Sequence, residues 1–311
     1  MTTHILFASR DPGWEDYETP LAGALRPVLG SDFTLAPDMP ADRVDYIVYA
    51  PNSPVQDFSA FPRLRAVLSL WAGVERIVGN QSLTVPLTRM VDAGLTEGMV
   101  EYVTGHVLRY HLGMDAHIGA APGEWVAVPP PLARNRPVGI LGLGALGRAC
   151  GEALAALGFP VTGWSRTPKD IPGLTCRHGE TGLAETLAQA EILVLLLPNT
   201  PATENILNRA ALARLPQGAR IVNPGRGTLI DDDALLEALD TGQIGHATLD
   251  VFRTEPLPAD HPYWARPNVT VTPHIASATR AETAAAVIAE NIRRDRAGEP
   301  LLHLVDRERG Y

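Results

Sequence analysis

The sequence predicts an α/β protein whose second part is a doubly wound parallel-sheet (Rossmann) domain, with a smaller α/β domain built before it. Three observations carry that expectation. A glycine-rich strand-to-helix turn begins at Val138, near the middle of the 311-residue chain. Short apolar runs alternate with helical stretches on both sides of that turn, as parallel sheets covered by helices require. The length corresponds to about two domains of ordinary size, and a hydrophobic content of 45% is enough to give each a core.

In the N-terminal part, residues 4–8, 45–49 and 66–70 read as short strands, separated by segments able to form helices or loops. Over residues 96–118 the pattern becomes that of one long amphipathic helix. The Pro-rich segment 128–137 after it reads as the entry to the second domain. Val138–Leu141 then leads into Gly142, Gly144 and Gly147 at G-x-G-x-x-G spacing, and the Ala/Leu-rich stretch through Leu154 reads as a helix. The first glycine permits a tight turn, the second lets backbone approach a pyrophosphate, and the third lets helix and strand pack closely. The pyrophosphate would sit on the unpaired N–H groups at the helix N-terminus, around Ala145 and Leu146. Beyond it, FPVTGW, EILVLLL, ARIVN, HATLDV and VTVT are buried-strand candidates spaced by helices such as residues 232–239. A last helix, about residues 280–296, is expected to run back onto the first domain. The chain shows no internal repeat.

Composition narrows the function. A net charge of −9 argues against nucleic acid and anionic membrane as partners, so an anionic substrate has to be held by local positive groups. The two cysteines, Cys150 and Cys176, have no metal-ligand spacing and read as free thiols of a reducing compartment; no metal is expected. The N-terminal apolar core, residues 5–8, is too short for a signal peptide, and no later run is long enough to span a membrane. Cytoplasmic placement is the expectation.

Cofactor choice is read from the end of the next strand. A carboxylate there would accept from the ribose 2′-OH of NAD. Here VTGW ends in Ser165, Arg166, Thr167, Pro168 and Lys169, with no acid among them. Arg166 and Lys169 suit a 2′-phosphate, which predicts NADP, with NADPH preferred over NADH. Three later strand ends carry chemistry. ARIVN is followed by Pro224-Gly225-Arg226-Gly227, HATLDV ends at Asp250 ahead of Glu255, and VTVT is followed by Pro273-His274. A cation, a carboxylate and an imidazole thus come to one sheet edge, where ligands bind in such folds.

The motifs GLGALG, NPGRG, DVFRTEPLP and TPHIA, in this order, resemble the D-isomer-specific 2-hydroxyacid dehydrogenase family over essentially the whole chain. GFPVTGWSRTPK, LLLPNT and VDRERGY are similar to its glyoxylate/hydroxypyruvate reductase A branch. The resemblance implies a flavodoxin-like substrate domain from residues 1–98 plus the C-terminal segment 278–311. The NAD(P)-binding domain, residues 99–277, is inserted between them, with the active site in the cleft and a homodimer formed mainly through the cofactor domains. It places catalytic roles on Arg226, Glu255 and His274, and cofactor contacts on Pro198 and on Asp250, the latter toward the nicotinamide carboxamide. Trp71, Ala72, Gly73 and Val74 match the loop whose amides hold the substrate carboxylate, together with Arg226. Pro224-Gly225 and Glu75 depart from the usual pattern of the family.

The resemblance implies an oxidoreductase reducing small 2-oxo acids, glyoxylate to glycolate and hydroxypyruvate to D-glycerate. Tyr49, Leu70, Trp71 and Trp125 are the candidates for narrowing the pocket around the substrate side group. The alternatives are a dehydrogenase for a larger 2-oxo acid, formate or phosphite dehydrogenase chemistry, and a dinucleotide-sensing corepressor.

Overall fold

In a computed structural model, which describes residues 2–10, 12–308 and 310, the first elements are β1 (Thr3–Ala8), α1 (Trp14–Leu29), β2 (Phe33–Ala36), β3 (Tyr46–Tyr49), β4 (Ala66–Ser69) and β5 (Leu87–Thr88). The helices α2 (Ala93–Leu112) and α3 (Met114–Ile118) lead to β6 (Val138–Leu141), α4 (Ala145–Ala156), β7 (Val161–Ser165), β8 (Thr175–His178), α5 (Gly179–Gln189) and β9 (Ile192–Leu195). The chain continues through α6 (Arg209–Leu212), β10 (Ala219–Asn223), α7 (Asp232–Asp240), β11 (Ile244–Leu249), β12 (Val269–Val271) and α8 (Ala281–Ala297). Of the VDRERGY run, Arg309 and Tyr311 lie outside the described residues. The contacts form two units: residues up to Leu95 together with those from Ala278 onward, and Thr96–Ser277.

The first unit is a parallel five-stranded sheet in the order β2-β1-β3-β4-β5, the flavodoxin-like order. Its central strands, YIVY and AVLS, are buried along their whole length, because helices cover both faces of a parallel sheet. On α1, Tyr17, Leu21, Leu25 and Leu29 recur every fourth residue and so share one face. That face packs with Ala284, Ala285, Ile288 and Ile292 of α8 on Ile5, Phe7 and Val48 of the sheet.

The second unit is a parallel seven-stranded sheet in the order β12-β11-β10-β9-β6-β7-β8. Strand order reverses between β6 and β9, which creates a switch point where the loops at the carboxyl ends diverge and leave room for a ligand. β6, VGIL, and β9, ILVL, are fully buried at this centre.

Several elements differ from the sequence expectation. The helix expected over residues 96–118 begins at Ala93 and breaks at Gly113, whose φ of 65° is left-handed and ends α2 before the short α3. α1 is legible in sequence only as a segment able to be helix or loop, since Pro20 and Pro27 lie inside it. β2, β5 and β8 carry no clear strand signal: β2 and β8 are edge strands with no fully buried position, and β5 has two residues. Cys150 is buried in α4, its Sγ 3.8 Å from the Met99 carbonyl, and burial pushes its thiol up to about 12. Both cysteines are free. No helix among the described residues is long and apolar enough to cross a membrane, and no group of three or more His, Cys, Asp or Glu among them could hold a metal ion.

Candidate active site

The turn from β6 into α4 is built as its glycines require. Gly142 has a φ of 110°, and a Cβ on it would lie 2.5 Å from the Leu196 carbonyl oxygen. A Cβ on Gly147 would lie 1.7 Å from the carbonyl oxygen of Gly142, so helix and turn are in backbone contact. Gly144 caps α4, leaving the N–H groups of Ala145, Leu146 and Gly147 without intrahelical acceptors. β7 ends at Ser165, which is buried and donates its hydroxyl to the Thr167 carbonyl at 2.7 Å. That bond closes the turn and leaves Arg166 and Lys169 exposed on it. Beyond β9, Thr203 Oγ1 donates to the Pro198 carbonyl at 2.6 Å and accepts from Thr200 N at 2.9 Å, which folds the segment around Pro198 back on itself.

Arg226 follows β10. Asn223 ends that strand, and its side chain accepts from Gly225 N at 3.1 Å and donates to the Arg226 carbonyl at 3.0 Å, pinning the turn at both ends. The Pro224-Gly225 departure has a packing reason: a Cβ at Gly225 would sit 2.8 Å from the Leu195 carbonyl oxygen. Arg226 Nη1 also donates to the Gly225 carbonyl at 2.7 Å.

Glu255 and His274 meet directly, His274 Nδ1 lying 2.8 Å from Glu255 Oε2. The other carboxylate oxygen, Oε1, accepts from Phe252 N at 2.9 Å. His274 has a φ of 54°, unusual for a residue other than glycine, and its N–H donates to the Asp250 carbonyl at 2.8 Å. The bond to Glu255 raises the His274 imidazole above its ordinary value; burial opposes this, while the charges of Glu255 and Asp250 add to it and that of Arg226 subtracts. Burial pushes the Glu255 carboxyl up, but bonds from His274 and Phe252 N and the charges of His274 and Arg226 outweigh it and hold the group low. The pair therefore favours imidazolium with carboxylate.

Asp250 has no exposed surface. Its Oδ1 accepts from Thr272 Oγ1 at 2.6 Å and Ile275 N at 2.9 Å, and Oδ2 from Ala276 N at 2.9 Å. The carboxylate thus grips the residues on either side of His274. Neither this role nor those of Asn223 and Thr272 is evident from the sequence. The one signal is an Asn directly before Pro-Gly, a turn-forming placement.

In the first unit, β4 ends at Ser69, whose Oγ accepts from Trp71 N at 3.1 Å and donates to the Trp71 carbonyl at 3.2 Å. Trp71, Ala72 and Gly73 are partly exposed there. Tyr49 and Leu70 lie in the core, at 2% and 0% exposure. The Tyr49 ring stacks edge-on against Phe58 with centroids 5.4 Å apart, so its surface is used in holding that unit together. Trp125 is instead 91% exposed.

Comparisons with known proteins agree with this arrangement. Residues 111–276 match the family described as D-isomer specific 2-hydroxyacid dehydrogenase, NAD binding domain. The chain is 41% identical over 282 residues to a glyoxylate/hydroxypyruvate reductase A of Serratia proteamaculans, covering 88% of this chain and 89% of that one. Among solved structures, a D-isomer specific 2-hydroxyacid dehydrogenase from Xanthobacter autotrophicus Py2 in complex with NADPH and MES superposes with a TM-score of 0.93 at 41% identity over all of both chains. An NADPH-dependent glyoxylate/hydroxypyruvate reductase from Sinorhizobium meliloti, solved with NADP and sulfate, gives a TM-score of 0.89 at 35% identity, again over all of both chains. The glycine turn, the order of both sheets and these matches together establish that the chain belongs to the D-isomer specific 2-hydroxyacid dehydrogenase family of NAD(P)-dependent oxidoreductases.

Proposed function

We propose that the chain reduces small 2-oxo acids, glyoxylate to glycolate and hydroxypyruvate to D-glycerate, using NADPH in preference to NADH. The observation that carries this reading is the Glu255–His274 pair at 2.8 Å, set at the carboxyl edge of the seven-stranded sheet with the charge of Arg226 acting on both members. The reductase names of the Serratia and Sinorhizobium relatives, the NADPH dependence named for the latter and the NADPH bound in the Xanthobacter structure support it.

The residues fit the cofactor. The glycine turn leaves no room for a Cβ at Gly142 or Gly147, as the tight turn and the close helix contact demand, Gly144 faces open space where a pyrophosphate can approach, and the start of α4 offers Ala145, Leu146 and Gly147 N–H groups. Arg166 and Lys169 stand exposed where a 2′-phosphate would be read, and Pro198 lies on the segment after β9. Bound NADPH supplies the hydride that reduces the carbonyl carbon.

The chain's own groups then do the rest. Arg226 offers a rigid fork to the substrate carboxylate and draws electron density toward the carbonyl oxygen. The family resemblance adds the amides of Ala72 and Gly73 as carboxylate partners. Because Nδ1 of His274 is engaged by Glu255, Nε2 is the nitrogen that holds a proton for the developing alkoxide. The orientation is kept by Asp250, which fixes the backbone around His274.

A cytoplasmic homodimer belongs to the same reading. The dimer is supported by four apolar side chains, Ile118 at the end of α3 and Trp125, Val128 and Leu132 between α3 and β6, all more than half exposed. The test of activity is NADPH consumption with glyoxylate, hydroxypyruvate, phenylpyruvate and branched 2-oxo acids. The two small acids are expected to give the higher kcat/KM, and a higher value for phenylpyruvate would overturn the small-substrate assignment.

A further inference from the structure

Two loops that carry the proposed site leave adjacent strands, the Arg226 turn from β10 and the Glu255 segment from β11. Their backbones touch: a Cβ on Gly227 would lie 2.0 Å from the carbonyl carbon of Phe252. Backbone contact excludes side chains from the junction but does not by itself set its geometry. The next residue, Arg253, bonds across it. Its Nη2 donates to the Ile230 carbonyl at 2.7 Å and the Thr228 carbonyl at 3.4 Å, both in the turn that follows Arg226, and to Asn205 Oδ1. Asn205, at a left-handed φ of 51°, donates its own N–H to the same Thr228 carbonyl at 2.9 Å, and Leu207 N reaches the Leu229 carbonyl at 3.0 Å. On the charged side, Arg253 Nε lies 3.5 Å from Asp232 Oδ2 and Nη1 lies 3.7 Å from Glu204 Oε1. One planar guanidinium therefore joins three segments: the end of β11, the Arg226 turn and residues 204–207 after β9.

We propose that Arg253 is a positioning residue, which fixes the Arg226 turn against the Glu255 segment and so sets the substrate clamp and the proton donor relative to each other. This rests on the reading of Arg226, Glu255 and His274 as the active site. Arg253 acts from two residues before Glu255, and on the carbonyls just beyond Arg226. Nη2 serves Ile230 and Asn205 while Nε and Nη1 face Asp232 and Glu204, a spread of donors over three nitrogens that a guanidinium supplies and an ammonium does not.

The test uses the full-length enzyme and the variants Arg253→Met and Arg253→Lys. Steady-state kinetics with glyoxylate at saturating NADPH are combined with NADPH binding by fluorescence, thermal stability and the pH profile of kcat/KM. For Arg253→Met we expect kcat/KM for glyoxylate to fall about 10- to 100-fold, the scale of a misplacement near 1 Å. NADPH binding stays within about twofold, since the glycine turn is untouched. The alkaline limb moves to lower pH as Glu255 loosens from His274, and Arg253→Lys restores only part of the loss. In a His274→Asn background the effect of Arg253→Met shrinks, because residues acting through one another are not additive. An Arg253→Met enzyme with lowered melting temperature but wild-type kcat, KM and pH limb would overturn the proposal. Should that variant fail to fold, Asn205→Ala, which removes one acceptor of the guanidinium, reads the same shift and its absence counts equally against it. Failure of the underlying site reading is separate: His274→Asn would then keep wild-type turnover.

Discussion

At the scale of single residues, the Glu255–His274 bond makes the sharpest predictions. On the proposed mechanism reduction needs the imidazolium, and the raised His274 pKa keeps that form present above the ordinary histidine range. Reduction should therefore weaken as pH rises through this raised value, while oxidation of the 2-hydroxy acid gains. In Glu255→Gln the main cause of the raised pKa is gone, and the limb should move to lower pH in a kcat/KM profile. His274→Asn should lower kcat for reduction by about 10²- to 10⁴-fold, the range for loss of a general acid, with NADPH binding little changed. Single-turnover and equilibrium binding measurements separate the two. These three residues are legible in the sequence because the motifs around them place an Arg, a Glu and a His after successive strands. Asp250 and Asn223 are not legible in their observed roles. Their contacts depend on how the segments after β10, β11 and β12 curl back, and a local pattern does not encode that return. Tyr49 is ambiguous in the sequence for a related reason: an aromatic at a strand end looks the same whether it faces a ligand or a core.

At the scale of elements, the β6–α4 turn is readable almost completely, since its requirement for glycine is a local steric one. Gly147→Ala puts a methyl group 1.7 Å from the Gly142 carbonyl oxygen, so the turn has to move. The expected outcome is a destabilisation of about 1–3 kcal/mol, the range for overpacking a filled site, with NADPH binding lost more steeply than stability. Calorimetric unfolding with and without NADPH measures both. On the proposed reading the β7 turn sets cofactor choice. Arg166 on its exposed tip predicts an NADPH preference of about 10- to 100-fold that shrinks as salt rises, because a solvated charge pair is screened. Arg166→Ala should remove most of the preference by weakening NADPH alone, and Ser165→Asp with Arg166→Ala should reverse it. Kinetics with both cofactors at two ionic strengths would show this. The elements that escape the sequence are those whose existence is owed to neighbours. β8 is an edge strand of half-exposed residues that pairs only with β7, and α1 survives two prolines because its Tyr17, Leu21 and Leu25 face is buried.

At the scale of the molecule, two parallel sheets of known strand order follow from the alternation of strands and helices, which is why the fold class is legible while many of its boundaries are not. Oligomeric state is the property that a single chain's pattern speaks to least. Light scattering in solution should give a mass of two chains, and Trp125→Glu with Val128→Glu should weaken that dimer by placing charge on an apolar surface. The return of α8 to the first unit has a further consequence, for the order of folding during synthesis. Thr96–Ser277 is continuous and has all of its strands once Ser277 has emerged. The first unit is not: Tyr17 and Leu21 of α1 wait for Ile288 and Ile292, more than 250 residues later, before their core is closed. Nascent chains ending short of Ala281 should therefore protect the glycine-turn unit from protease while leaving α1 open to cleavage, and the last helix to be made is the one that commits the first to its place.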